Sequence, residues 1–113
     1  MKINIRDVVG ENCITFEAGQ KVYDLIHPEL RAGRVVELDF SGVRVIVSLF
    51  LNAAIGRLLE KTSSDDLTRL LKITNLNSTG WATLKQVVAS AKEYYTDPKV
   101  REAVDRILTE RAA

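Results

Sequence analysis

A chain of 113 residues fits one domain, large enough to bury roughly two thirds of its unfolded surface without disulfide or metal staples. Apolar residues make up 46% and charged residues 27%, ordinary proportions for a globular protein, and no window holds the ~18 uninterrupted apolar residues of a membrane span. The 16 basic and 15 acidic side chains are scattered and leave a net charge of +1, so neither nucleic acid nor an anionic membrane is an expected partner. Cys13 and His27 are each the only residue of their type, which excludes an internal disulfide and argues against a cysteine-ligated metal; no cofactor is expected. The opening MKINIRD lacks the apolar core of a signal peptide, and a cytoplasmic location is the expectation.

In chain order, Ile3 and Ile5 alternate with Asn4 and Arg6, the period of a half-buried strand, and VVGEN turns the chain. From about Glu17, the spacing of Val22, Leu25, Ile26 and Leu30 marks a helical face closed by Gly33, with Pro28 removing one hydrogen bond and introducing a kink. RVVELDF alternates Val36, Leu38 and Phe40 with Val35, Glu37 and Asp39, which predicts a strand with one packed and one partly polar face. SLFLNAAIGRLLEK is apolar around more than half its circumference and reads as a helix lying against a sheet. SSDDL caps a short following helix, and LKITNL, Leu71 to Leu76, reads as a strand made parallel to its predecessor by the crossover. Trp81, Leu84, Val88, Ala91 and Tyr95 form the predicted core stripe of a helix from about Thr79 to Tyr95. A last helix is expected behind Asp97 and Pro98, with Val100, Ala103, Val104, Ile107 and Leu108 as its apolar stripe.

No catalytic constellation emerges. Ser48 is flanked by Val47 and Leu49 rather than the glycines of a nucleophile elbow, and the only histidine, His27, sits before Pro28 in the first predicted helix. The single Gly42 in DFSGV falls short of a phosphate loop and reads as a turn residue. Asp65 with Asp66 heads a helix, and Glu37 with Asp39 faces outward from a strand, so capping and solvation account for both acidic pairs. The chain is therefore not expected to be an enzyme. Ser48 itself is expected as a helix N-cap, and with Asn52 and Gly56 at steps of four it makes a narrow strip of small or polar residues where another surface can come close.

VVELDFSGVRVIVSLFLNAAIGRLL resembles the core of STAS domains, the fold of anti-sigma factor antagonists, in which a DLSGV-like strand end leads to a DSSG-like turn and a helix. It resembles more closely the bacterial STAS-like proteins of unknown function, with a pattern like V.LDF.GV…SPF.NAAIG.LL, and the resemblance runs from about Ile3 to Tyr95. In the antagonists the serine after the Asp of DSSG is phosphorylated by a partner serine kinase, and the resemblance puts Ser48 in its place. Val47 stands where the antagonists carry Asp, and Leu49 and Phe50 stand where they carry Ser and Gly. Leu49 also replaces the Pro of the closer relatives.

The expectation is then a single α/β domain over residues 1–113, STAS-like, with a small mixed β-sheet and four to five α-helices. Its expected role is a non-catalytic regulatory or protein-interaction module, with Asp39, Ser41, Gly42, Ser48, Asn52 and Gly56 as partner-binding residues and Ser48 as a phosphorylation site. The resemblance implies a serine kinase or anti-sigma-like partner with a histidine-kinase-like ATP site. A small-ligand or nucleotide sensor and a structural homo-oligomer, including a homodimer, are the alternatives.

Overall fold

The computed structural model describes residues 1–96, and the expected last helix lies outside them. The elements are β1 (Lys2–Asn4), α1 (Ile5–Val9), β2 (Asn12–Cys13), α2 (Phe16–Arg31), β3 (Val36–Asp39) and β4 (Val45–Ile46). They continue with α3 (Ser48–Ala54), a 3-10 turn (Gly56–Glu60), α4 (Ser64–Leu70), β5 (Leu71–Thr74) and α5 (Ser78–Thr96). The α/β class is as expected. The single mixed sheet is not: the described strands form two sheets, β1-β3-β5 and β2-β4, and every pair in them is parallel.

The first strand is shorter than its alternation predicts, because the Asn4 side chain accepts the Asp7 backbone N–H at 3.2 Å and opens α1. Ile5 is fully buried all the same, now from a helix. Helix α2 begins where Thr15 accepts from the Ala18 N–H at 3.0 Å. It ends where Gly33, at φ +77°, takes the left-handed conformation that glycine adopts without penalty. Its buried face is Gly19, Val22, Ile26 and Leu30, while Leu25, predicted to share that face, is exposed.

Register fixes the main sheet: Ile3, Leu38 and Ile73 lie side by side, as do Asn4, Asp39 and Thr74. Val36, Leu38 and Phe40 are buried as the alternation predicts, and the β3 to β5 crossover is the expected parallel one. Ser63 caps α4 by accepting the Asp66 N–H, with Asp65 and Asp66 in the first turn.

The predicted continuous helix from Ser48 to Lys61 breaks at Ile55 into α3 and a 3-10 turn. At the break Gly56 is buried beneath α5; a Cβ there would lie 3.4 Å from Val87 Cγ1 and 3.7 Å from Ala91 Cβ. Helix α5 packs against both α3 and this turn. Its buried residues include Gly80, Leu84, Val87 and Ala91, so the stripe is rotated from the predicted one. Trp81, expected in the core, is 42% exposed, and Val88 and Tyr95 are half-buried.

Candidate functional site

The carboxyl end of the main sheet is held by one carboxylate. Asp39 ends β3, and its Oδ1 accepts both the Ser41 backbone N–H and Asn75 Nδ2 at 2.9 Å. Lys2 Nζ stands 3.7 Å from Oδ2. Asn75, just past β5, is at φ +59°, a left-handed conformation that asparagine tolerates better than most side-chain-bearing residues. Asp39 thus ties the ends of β3 and β5 together and is 7% exposed, in contrast to the solvated position expected of it. Glu37, its predicted companion, keeps a partly exposed side chain that accepts from Thr74 Oγ1 at 3.1 Å.

These contacts stabilise the ionised form. The hydrogen bond from Asn75, then those from Ser41, hold the Asp39 carboxyl down to about 2 from an ordinary 3.8. A depressed pKa contributes stability that is present above pH 3.8 and lost as pH falls through about 2, because in that window the unfolded chain binds the proton and the folded chain does not. Asp39→Asn should therefore show a shallower loss of stability in this acid window than the wild type, as measured by circular dichroism during acid titration.

Beyond Asp39 the chain makes a tight turn, with the Val43 N–H donating to the Phe40 carbonyl at 3.1 Å and Gly42 at φ +77°. Arg6 of α1 lies over it, since a Cβ on Gly42 would come within 2.7 Å of Arg6 Cδ. The flexible arginine can move aside, but the backbone conformation cannot be relieved. Gly42→Ala should cost about 1–2 kcal/mol in urea unfolding.

The turn delivers the chain to β4 and α3. Val47 follows β4 in extended conformation because its N–H donates to the Cys13 carbonyl at 3.1 Å, prolonging the pairing with β2. Val47 is therefore the N-cap and has no side-chain oxygen to offer, so Ser48 is the first helical residue rather than the cap. The Ser48 hydroxyl is left exposed at the helix start.

The elements that lead to α3 and pack on it carry exposed apolar side chains. Ile14, Phe16, Val45 and Leu49 are each between 46% and 53% exposed. Ile14 follows Cys13, whose carbonyl accepts from Val47, and Val45 lies opposite Asn12 in the ladder. Phe16 is one helical turn before Gly19, which meets α3 so closely that a Cβ would lie 2.5 Å from the Phe50 carbonyl oxygen. Four large exposed apolar side chains thus lie on or beside the β2/β4 pair and the first turns of α2 and α3.

The six predicted partner-binding residues separate accordingly. Asp39, Ser41 and Gly42 share one turn, Ser48 and Asn52 are exposed on α3, and Gly56 is covered by α5. The surface that approaches the small-residue strip at Gly56 belongs to the chain's own last described helix.

A family model described as a STAS-like domain of unknown function (DUF4325) matches residues 18–81, more than half of the chain. The chain belongs to this family. The comparisons with curated proteins and with solved structures found no match. The STAS-like match runs from the first turn of α2 to Trp81 and includes the whole Asp39 to Gly56 stretch, a narrower span than the Ile3 to Tyr95 resemblance.

Several features of this STAS-like domain are not visible in its sequence. Asn75 as the partner of Asp39, and Ile14, Phe16 and Val45 as surface residues, depend on elements that meet only in the fold. The same holds for His27, which stacks on Tyr23 at 4.8 Å, and for Arg57, whose guanidinium carbon lies 4.4 Å from the centre of the same ring. Arg57 also donates to Gln20 Oε1. Cys13 is fully buried, and burial pushes its thiol up to about 11, so it remains an unreactive core residue at neutral pH. Among the described residues no group of three His, Cys, Asp or Glu side chains is placed to hold a metal ion, and no helix is long and apolar enough to cross a membrane.

Proposed function

We propose that this STAS-like domain is a non-catalytic regulatory module that docks a protein partner through the surface at the start of α3. The observation that supports this reading is the exposure of Ile14, Phe16, Val45 and Leu49, four large apolar side chains on or beside the β2/β4 pair and the first turns of α2 and α3, whose burial a partner would complete. Asn52 adds an exposed amide one turn along. Ser41 and Gly42, exposed on the turn that Asp39 holds, precede this surface in the chain and extend the proposed contact.

Ser48 supplies the switch. A serine kinase would transfer the γ-phosphoryl group of ATP to Ser48 Oγ, releasing ADP and the hydroxyl proton. The positive end of α3 tolerates the new charge in the free domain. In the docked state a group of about −2 charge would have to be desolvated among apolar side chains, and the contact would be lost. The resemblance to anti-sigma factor antagonists supports a kinase partner with a histidine-kinase-like ATP site, and the exposed hydroxyl at the helix start is accessible to one.

Capture from native extract with and without ATP, followed by intact mass, tests the switch. Ser48→Ala should keep the partner and take no phosphate, whereas Ser48→Glu should weaken capture by about tenfold or more, roughly 1.4 kcal/mol. Equal capture by both variants, with no phosphate on the wild type, would make Ser48 purely structural. A nucleotide that sharply raises the melting temperature without any partner would favour the sensor reading instead.

A further inference from the structure

A cleft opens on the helical side of the domain, where α3, the 3-10 turn and α5 meet. Its volume is about 390 Å³, within the range of roughly 300–1,000 Å³ over which proteins hold small molecules. Gly56 and Ala91, both buried, keep side-chain bulk out of it, and Tyr94 and Tyr95, edge to face at 4.8 Å, line it with aromatic surface. Arg57, Asn52 and Ser90 line the same space and carry its hydrogen-bond donors.

We propose that this cleft binds a small aromatic carboxylate. Arg57 is half-buried, with its guanidinium carbon 4.4 Å from the centre of the Tyr23 ring and an N–H donated to Gln20 Oε1, and among the described residues no carboxylate pairs with it. Both contacts are neutral. Gln20 Nε2 in turn donates to Asp24 Oδ1 at 2.8 Å, which fixes the Gln20 amide with its oxygen toward Arg57 and so holds the guanidinium in place before any ligand arrives. Its remaining N–H groups suit a carboxylate, which accepts from a guanidinium through two parallel hydrogen bonds. The Asn52 amide and the Ser90 hydroxyl, which have no side-chain hydrogen bond among the described residues, add neutral donors beside it. Charge selects the anion: no lysine lines the cleft among the described residues, so the one guanidinium matches a carboxylate and leaves a phosphate monoester of about −2 charge half-neutralised. The two tyrosines and Ala91 favour a flat apolar body, since aromatic rings pack well edge to face or offset. This site does not rest on docking at the start of α3, although Asn52 borders both.

Fluorine NMR titration of the full chain with para-fluorobenzoate tests the assignment, with para-fluorobenzamide as the neutral isostere and para-fluorophenyl phosphate as the dianion. The benzoate should bind saturably and about tenfold or more tightly than either of the others. Arg57→Gln should erase the preference for the benzoate over the benzamide. Ser90→Trp, at an exposed position of α5, should fill the cleft and abolish binding. Because Ser90→Trp keeps the contacts of Arg57 with Tyr23 and Gln20, it decides the outcome if Arg57→Gln lowers the melting temperature. No saturable binding of the benzoate up to about 10 mM would overturn the proposal. Equal affinity for the benzamide, tighter binding of the phosphate, an unchanged preference in a stably folded Arg57→Gln, or wild-type binding by Ser90→Trp would overturn it as well.

Discussion

Gly19→Val should lower the stability of the domain by about 3 kcal/mol in urea unfolding, against the direction that helix propensity alone dictates. Gly19 sits in the interior of α2, where replacing glycine ordinarily helps a helix by up to ~1 kcal/mol. Here a Cβ would stand 2.5 Å from the Phe50 carbonyl oxygen and 2.7 Å from Ala53 Cβ. One of these atoms is backbone and the other is attached directly to it, so neither can swing aside, and the two helices must separate. Gly19→Ala should already show the reversed sign, with a smaller loss. A stabilised Gly19→Ala protein would mean that α2 and α3 do not approach as closely as described.

The second large effect lies on α3. Phe50→Ala should cost about 3–5 kcal/mol, because the ring is fully buried and its removal leaves a cavity among rigid neighbours. Leu49→Ala, one residue earlier and 53% exposed, should change stability by no more than about 0.5 kcal/mol. The contrast between adjacent residues tests which side of α3 is core and which is free for a partner. Comparable losses at both positions would place Leu49 in the core and remove it from the proposed docking surface.

Those elements that follow from local pattern are legible in the sequence. The Val36, Leu38 and Phe40 alternation gives β3, the Ser63 cap and paired aspartates give α4, and the crossover between β3 and β5 gives their parallel pairing. What is not legible depends on which distant element arrives. Asp39 reads as an outward-facing carboxylate because nothing in VELDF reveals that Asn75 will reach it from the end of β5. Ser48 reads as a cap because serine favours that position, yet the hydrogen bond from Val47 to Cys13 extends the strand by one residue and makes Val47 the cap. Trp81 has the spacing of a core residue, but α5 turns Gly80, Leu84, Val87 and Ala91 inward, with Val87 and Ala91 against Gly56. The rotation reflects a close helix approach that glycine permits and periodicity does not specify.

The candidate site is legible in part for the same reason. The Asp39 to Gly42 turn and the exposed α3 residues Ser48 and Asn52 lie within one stretch of chain and can be singled out from it. Ile14 and Phe16 come from a segment that joins them only through the β2/β4 ladder and the contact of Gly19 with α3. Family membership covers the Asp39 to Gly56 stretch but begins at Ala18, after both of those residues.

The docking surface is tested most directly by partner retention across three variants of the full chain, each verified to melt like the wild type: Leu49→Asp, Ser48→Ala and Arg69→Ala. Arg69 lies on the exposed side of α4, paired with Asp66, outside the start of α3. A charge at Leu49 in a buried apolar contact should weaken retention by about tenfold or more, while Ser48→Ala and Arg69→Ala keep the partner. Retention of the same partner at wild-type level by Leu49→Asp would contradict docking through this surface.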